Sequence, residues 1–155
     1  MLRRAEEMHA EAAAVVAAER ARLAAAGVSG ALVWTGASSL PGALTRGDVD
    51  LHLRVPPDDV ESAVAAVRAL HAVRRPDLWC ATLATFAVEA PLPTELAVTP
   101  VGSEHDVRFT RTWDLLRADP HLLAEYNAVK RRADGTPAYE DAKSAFFTRL
   151  LESAP

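Results

Sequence analysis

The chain has 155 residues, half of them apolar and a quarter charged, which fits one globular domain with a sizeable core and excludes two. Its 17 basic and 21 acidic residues leave a formal charge of −4, against the basic surplus of a non-specific nucleic-acid binder. Cys80 is the only cysteine, so no internal disulfide forms and nothing indicates an oxidising compartment.

Residues 1–26 are rich in Ala, Glu and Arg, strong helix formers, and end at Gly27, predicting one long helix with a glycine C-cap. Met1-Leu2-Arg3-Arg4 superficially suits a secretory leader, but Glu6, Glu7, Glu11 and Glu19 interrupt the apolar stretch. No run approaches the roughly 20 apolar residues of a membrane span, and the expected location is the cytoplasm. Ala31–Thr35, between Gly30 and Gly36, reads as a buried strand. Residues 36–47 read mostly as loop.

From Asp48 to Val55 the chain alternates. Val49, Leu51, Leu53 and Val55 share one face; Asp48, Asp50, His52 and Arg54 share the other. Pro56-Pro57 ends this strand, and Asp58 with Glu61 predicts a capping-box start to a helix running to about His71. Residues 79–89 are expected to be a strand, as are Thr94–Thr99, with Leu96 and Val98 inward and Glu95 outward. Beyond Gly102 the pattern is helical. Asp119-Pro120 suits an N-cap and N1 pair, with Leu122, Tyr126 and Val129 on one stripe. After a turn at Asp134-Gly135, a last helix turns Tyr139, Ala142, Phe146 and Leu150 inward. The expected fold is α/β (α+β): a mixed sheet of about four strands, with helices from both ends of the chain.

Asp48 and Asp50 stand two apart on one strand, so their carboxylates project together and repel unless a cation lies between them. Oxygen donors on a rigid strand suit Mg²⁺, which takes its remaining ligands from water and substrate phosphates. Taken alone, the pair also fits a solvated edge-strand face. Gly36, before Ala37, Ser38 and Ser39, would let a phosphate approach the backbone, and Glu95 would be a third carboxylate or an ordinary exposed acid. Small residues after one strand, Asp-x-Asp on the next and an acid on a later one form the nucleotidyltransferase arrangement.

The run Gly36-Ala37-Ser38-Ser39-Leu40-Pro41-Gly42 resembles the Gly-Ser-Thr-x-Val-Pro-Gly signature of the GrpB family, which leads into a strand carrying an Asp, here Asp50. Asp114 to Pro120, Glu125-Tyr126, Lys130 and the run Tyr139 to Phe146 resemble the family's C-terminal helical pattern. The resemblance extends from about Gly30 to the C-terminus. It implies a nucleotidyltransferase-like fold. Lys130 and Lys143 match family lysines and would either serve as phosphate cations or lie on a solvated helix surface; Arg46, beside the acidic pair, is a further candidate. The sequence departs from the family in three places. Ala37 replaces a Ser, Asp48 replaces an apolar residue, and Glu95-Leu96-Ala97 replaces His-Leu-His.

The resulting expectation is Mg²⁺-dependent transfer of a nucleotidyl group from a nucleoside triphosphate to an unknown acceptor. Asp48, Asp50 and Glu95 would be catalytic and metal-binding, with Gly36, Ser38, Ser39, Arg46, Lys130 and Lys143 around the nucleotide. The alternative is a non-catalytic module binding a nucleotide or protein partner on the same fold. A coenzyme-related role is a third option, because GrpB-like domains can be fused to dephospho-CoA kinases, but this chain has no Gly-x-x-x-x-Gly-Lys-[Ser/Thr] loop. His52 is expected at the surface, Cys80 as a small buried residue, and Trp34, Trp79, Trp113, Tyr126 and Phe146 in the core.

Overall fold

The computed structural model describes residues 1–154. Its centre is a five-stranded mixed sheet in the order β2 (Ala31–Thr35), β4 (Val49–Val55), β7 (Thr94–Pro100), β6 (Ala84–Val88) and β5 (Ala72–Val73). Strands β4 and β7 run parallel, and every other neighbouring pair is antiparallel. The α/β expectation holds, with one strand more than the four foreseen. The two-residue β5 is too short to show a period. Among the described residues, no helix is long and apolar enough to cross a membrane.

The alternation of β4 does what it predicts. Val49, Leu51, Leu53 and Val55 are buried on one face, where Leu96, Val98 and Phe86 join them under α1 (His9–Ala25) and α2 (Val60–Leu70). The opposite face carries Asp50, His52 and Arg54 toward α3 (Glu104–Ala118). There Arg54 donates two hydrogen bonds, at 2.6 and 2.9 Å, to the buried carboxylate of Asp106, which also accepts from the Gly102 amide at 2.8 Å. This grip fixes α3 across the polar face of the sheet.

Several local expectations give way to tertiary contacts. The first helix starts at His9, because Arg3–Arg4 (β1) pair instead with Leu44–Thr45 (β3) and Ala5–Met8 form a 3₁₀ turn. Its C-terminus forms a Schellman motif: Gly27, at φ +70°, donates to the Ala24 carbonyl and Val28 to that of Leu23, both at 3.0 Å. Strand β2 forms where expected but lies at the sheet edge, partly exposed, since only β4 pairs with it. Residues 57–59 form a 3₁₀ turn seeded by Pro57, so α2 begins at Val60 and the Asp58 capping box does not form. The strand expected over 79–89 is confined to Ala84–Val88. Ahead of it the chain turns back on itself, with Cys80 donating to the Leu83 carbonyl at 3.0 Å; Cys80 is exposed, not buried.

The helices α4 (Pro120–Ala133) and α5 (Tyr139–Ser153) complete the layer over the polar end of the sheet. Asp119 caps α4 as predicted, accepting from the amides of His121 and Leu122. Tyr126, Phe146 and Leu150 are buried in a second core with Leu116 and the 37–43 loop. Two α4 side chains clamp that loop: Asn127 accepts from the Leu44 amide at 2.9 Å and donates to the Gly42 carbonyl at 2.8 Å, and Lys130 donates to the Leu44 carbonyl.

Candidate active site

Asp50 sits where three segments meet. It is the register partner of Thr35 on β2 and of Glu95 on β7, and Gly36 follows Thr35 directly against its carboxylate. Gly36 adopts φ +76°, and an ideal Cβ there would lie 2.2 Å from Asp50 Oδ2. The position therefore demands glycine for its conformation and for its space. Asp48, one residue before the strand, is exposed at the same opening.

A cavity of about 410 Å³ opens over this end of the sheet, and Asp48, Asp50, Arg46, Lys130 and Lys143 all border it. The structure thus brings together both aspartates and all three cations singled out in the sequence. Burial, reinforced by the neighbouring Asp48 and Glu95 carboxylates, pushes the Asp50 carboxyl up to about 7, with Lys143 and Lys130 acting in the opposite direction. Burial, with the nearby Lys143, lowers Lys130 to about 8.

Each cation is held in place. Arg46 lies 3.4 Å above the Tyr139 ring and 3.4 Å from an Asp134 oxygen. Lys130 is buried over the Tyr126 ring; its ammonium has three donors, one of which serves the Leu44 carbonyl. Lys143 lies 4.8 Å from the Tyr139 ring centroid and 3.2 Å from a Glu140 oxygen.

Other predicted residues have different occupations. The hydroxyl of Ser38 accepts from the Trp34 indole at 3.0 Å, and that of Ser39 donates to the Gly36 carbonyl at 2.7 Å. Both hydroxyls hold the loop in shape, while Ala37 borders the cavity. Glu95 faces the same way as Asp50, but its carboxylate accepts from Arg74 Nε at 2.8 Å. Among the described residues, no three His, Cys, Asp or Glu side chains are arranged to share a metal ion. A smaller recess, of about 160 Å³, lies on the other side of Asp50, bordered by Glu95 and by Phe109 and Trp113 of α3.

Sequence reading missed the aromatic walls. Trp113, Tyr126, Tyr139 and Phe147 border the large cavity as well as packing around it. The i, i+4 spacing of Tyr139 and Lys143, and of Tyr126 and Lys130, was the available signal, because it lays each ammonium over a ring one turn away. His52 departs from its expected surface position. It is buried, hydrogen-bonded to Thr99 at 2.7 Å and edge-on to Phe109. Burial pushes its pKa down to about 4, so it is a neutral packing residue.

A family model described as GrpB protein matches residues 5–153. The chain belongs to the GrpB family. A UPF0157 protein of Vibrio cholerae serotype O1 is 31% identical over 122 residues, which cover 77% of this chain and 64% of that protein. The chain thus spans about two thirds of that relative's length. The crystal structure of the conserved protein GrpB from Enterococcus faecalis superposes with a TM-score of 0.74, at 13% identity, over 98% of this chain and 95% of that one, which shows that the two share a fold. The structure of Cid1 in complex with the UTP analogue UMPNPP gives a TM-score of 0.46 at 13% identity, over 91% of this chain and 48% of that one, a likeness too loose to argue from.

Proposed function

We propose that this GrpB-family protein is a Mg²⁺-dependent nucleotidyltransferase, acting on a nucleoside triphosphate and an acceptor hydroxyl. The observation that carries the reading is the division of charge within one cavity: Asp50 on β4 and Asp48 just before it share the cavity with Arg46, Lys130 and Lys143. A triphosphate needs both halves of that arrangement. The cations meet its β- and γ-phosphates, and Asp48 with Asp50 would hold the ion. The donor set fits Mg²⁺. Both groups are hard oxygen donors, Asp50 meets carboxylate repulsion that a cation would relieve, and Mg²⁺ characteristically takes few protein ligands beside substrate phosphates. When bound, the ion would neutralise charge developing on the phosphates.

The protein's own residues account for the rest. Gly36 keeps the space over Asp50 open, Tyr126 and Tyr139 fix the two lysines, and Arg46 closes the cationic side. In the reaction, the acceptor oxygen bonds to the α-phosphorus. The bond from that phosphorus to the bridging oxygen breaks, and its electron pair leaves with pyrophosphate. The cytoplasm, where nucleoside triphosphates and Mg²⁺ are abundant, is the location this reading implies.

The second reading, a module that binds a nucleotide without turnover, is favoured by the engagement of Glu95 with Arg74. Both readings require nucleotide binding. Thermal unfolding with each of the four nucleoside triphosphates and Mg²⁺ tests that requirement: a ligand at 100 times its Kd stabilises the fold by about 2.7 kcal/mol. No stabilisation by any of the four would defeat both readings. Release of pyrophosphate once an acceptor is supplied separates the enzyme from the module.

A further inference from the structure

The recess beyond Asp50 differs in chemistry from the cavity that holds the cations. Its volume is about 160 Å³, and no Lys or Arg borders it. Phe109 and Trp113 are four residues apart on α3, so both rings present from one helix face. Gly36 and Ala97 leave its floor without bulk, and Asp50 and Glu95 supply carboxylate acceptors. The cation paired with Glu95, Arg74, is absent from the lining.

We infer that this recess is the acceptor subsite, and that it takes a hydroxyl-bearing group about the size of one sugar ring and without negative charge. The assignment of the recess to an acceptor rests on the nucleotidyltransferase reading; the preference in ligand charge rests on the lining alone. Flat aromatic surfaces suit the apolar face of a ring, and carboxylates suit its O–H donors. A phosphorylated or carboxylated group would face two carboxylates with no Lys or Arg in the lining, and that like-charge juxtaposition disfavours it. The recess and the cationic cavity share Asp50 and Trp113, so an acceptor hydroxyl here stands beside the phosphates. As it attacks, its proton passes to Glu95 and from there to solvent.

Glucose, glucosamine and glucuronate test the assignment, being alike in size and differing in charge. Binding to the whole protein is read by ligand-observed NMR and by tryptophan fluorescence. Glucose and glucosamine should bind at least about tenfold more tightly than glucuronate, a difference of about 1.4 kcal/mol. Glu95→Gln should erase most of that discrimination, since it removes a charge from a partly exposed side chain and leaves Arg74 unpaired. Ala97→Leu, which fills the floor, should abolish binding of all three; if that variant fails to fold, Glu95→Gln decides alone. Equal binding of the three probes, preference for glucuronate, discrimination that survives Glu95→Gln, or no binding of any probe would overturn the inference. Nucleotide stabilisation measured on the same samples separates the two proposals. Nucleotide binding without sugar discrimination removes only the acceptor subsite. Sugar discrimination without nucleotide binding keeps the charge preference and removes the nucleotidyl reading.

Discussion

Gly36 and Asp50 cannot be changed independently: a Cβ on Gly36 would lie 2.2 Å from Asp50 Oδ2 and 2.9 Å from Asp50 Cβ. Gly36→Ala therefore meets both a left-handed backbone conformation and a direct collision. It should destabilise the fold by more than about 1 kcal/mol, the cost of the positive-φ, extended-ψ geometry of Gly36 alone, and should weaken nucleotide binding by displacing Asp50. Combining it with Asp50→Gly, which removes the colliding atoms, should recover part of the stability loss. A double-mutant cycle in urea measures the coupling. Strict additivity would show that the two residues do not press on each other.

Asp50→Asn should stabilise the protein lacking metal, and the gain should depend on pH. Burial and the neighbouring Asp48 and Glu95 carboxylates raise the folded-state pKa of Asp50 from the ordinary 3.8 to about 7. Its contribution to stability is therefore fully present below about pH 4 and is lost as pH rises through 7. The Asn variant carries no such charge, so its advantage should grow between pH 4 and 7, exceed about 1 kcal/mol, and then level off. Denaturant melts across that range give the curve. A variant less stable than wild type at pH 8 would contradict it.

His52 and Asp106 predict the acid limb. His52 is pushed down to about 4 from 6.5 in the fold, so the unfolded chain binds the proton more readily between these values. The His52 contribution should fall as pH drops from 6.5 to 4, by on the order of 3 kcal/mol, against the opposite trend of Asp50 over the same range, and should flatten below 4. His52→Gln should make that slope shallower. Removing Asp106, which Arg54 and the Gly102 amide share, should cost about 3 kcal/mol or more.

Much of this arrangement could be read from the sequence. The period-two pattern of residues 48–55 gave the strand, its buried face and the common direction of Asp50 and Glu95, because one buried face pins the register. Lys130 and Lys143 reached the cavity that the resemblance implied. What escaped prediction depended on partners distant in the chain. Arg3 and Arg4 left a helix-forming segment to pair with Leu44–Thr45. His52 was buried by α3, whose position depends on Arg54 and Asp106, 52 residues apart. Ser38 and Ser39 are a local exception: they read as phosphate ligands by type, but the Ser38 hydroxyl accepts from Trp34 at the end of β2 and that of Ser39 donates to the Gly36 carbonyl.

Arg74 restrains Glu95 through an exposed ion pair, of a kind that contributes little to stability. Arg74→Gln should leave the melting temperature nearly unchanged and release the Glu95 carboxylate toward Asp50, its register partner. Mg²⁺ affinity, read by competition with Mn²⁺ in electron paramagnetic resonance, should then rise severalfold. An unchanged affinity would show that Glu95 plays no part in holding an ion.

Lys130 ties nucleotide affinity to pH. Its pKa lies near 8 in the fold, so its charge fades above that value and affinity for a triphosphate should fall from pH 7.5 to 9.5. Lys130→Met should bind weakly at every pH and lose that dependence. A wild-type affinity that is flat across the range would remove Lys130 from the phosphate site.

The most direct test of the account is calorimetric titration of a non-hydrolysable nucleoside triphosphate into wild type and Asp50→Asn, with and without Mg²⁺. The site described here predicts Mg²⁺-dependent binding to wild type and its loss in a folded Asp50→Asn protein. Equal binding by the two proteins, or binding indifferent to Mg²⁺, would contradict it.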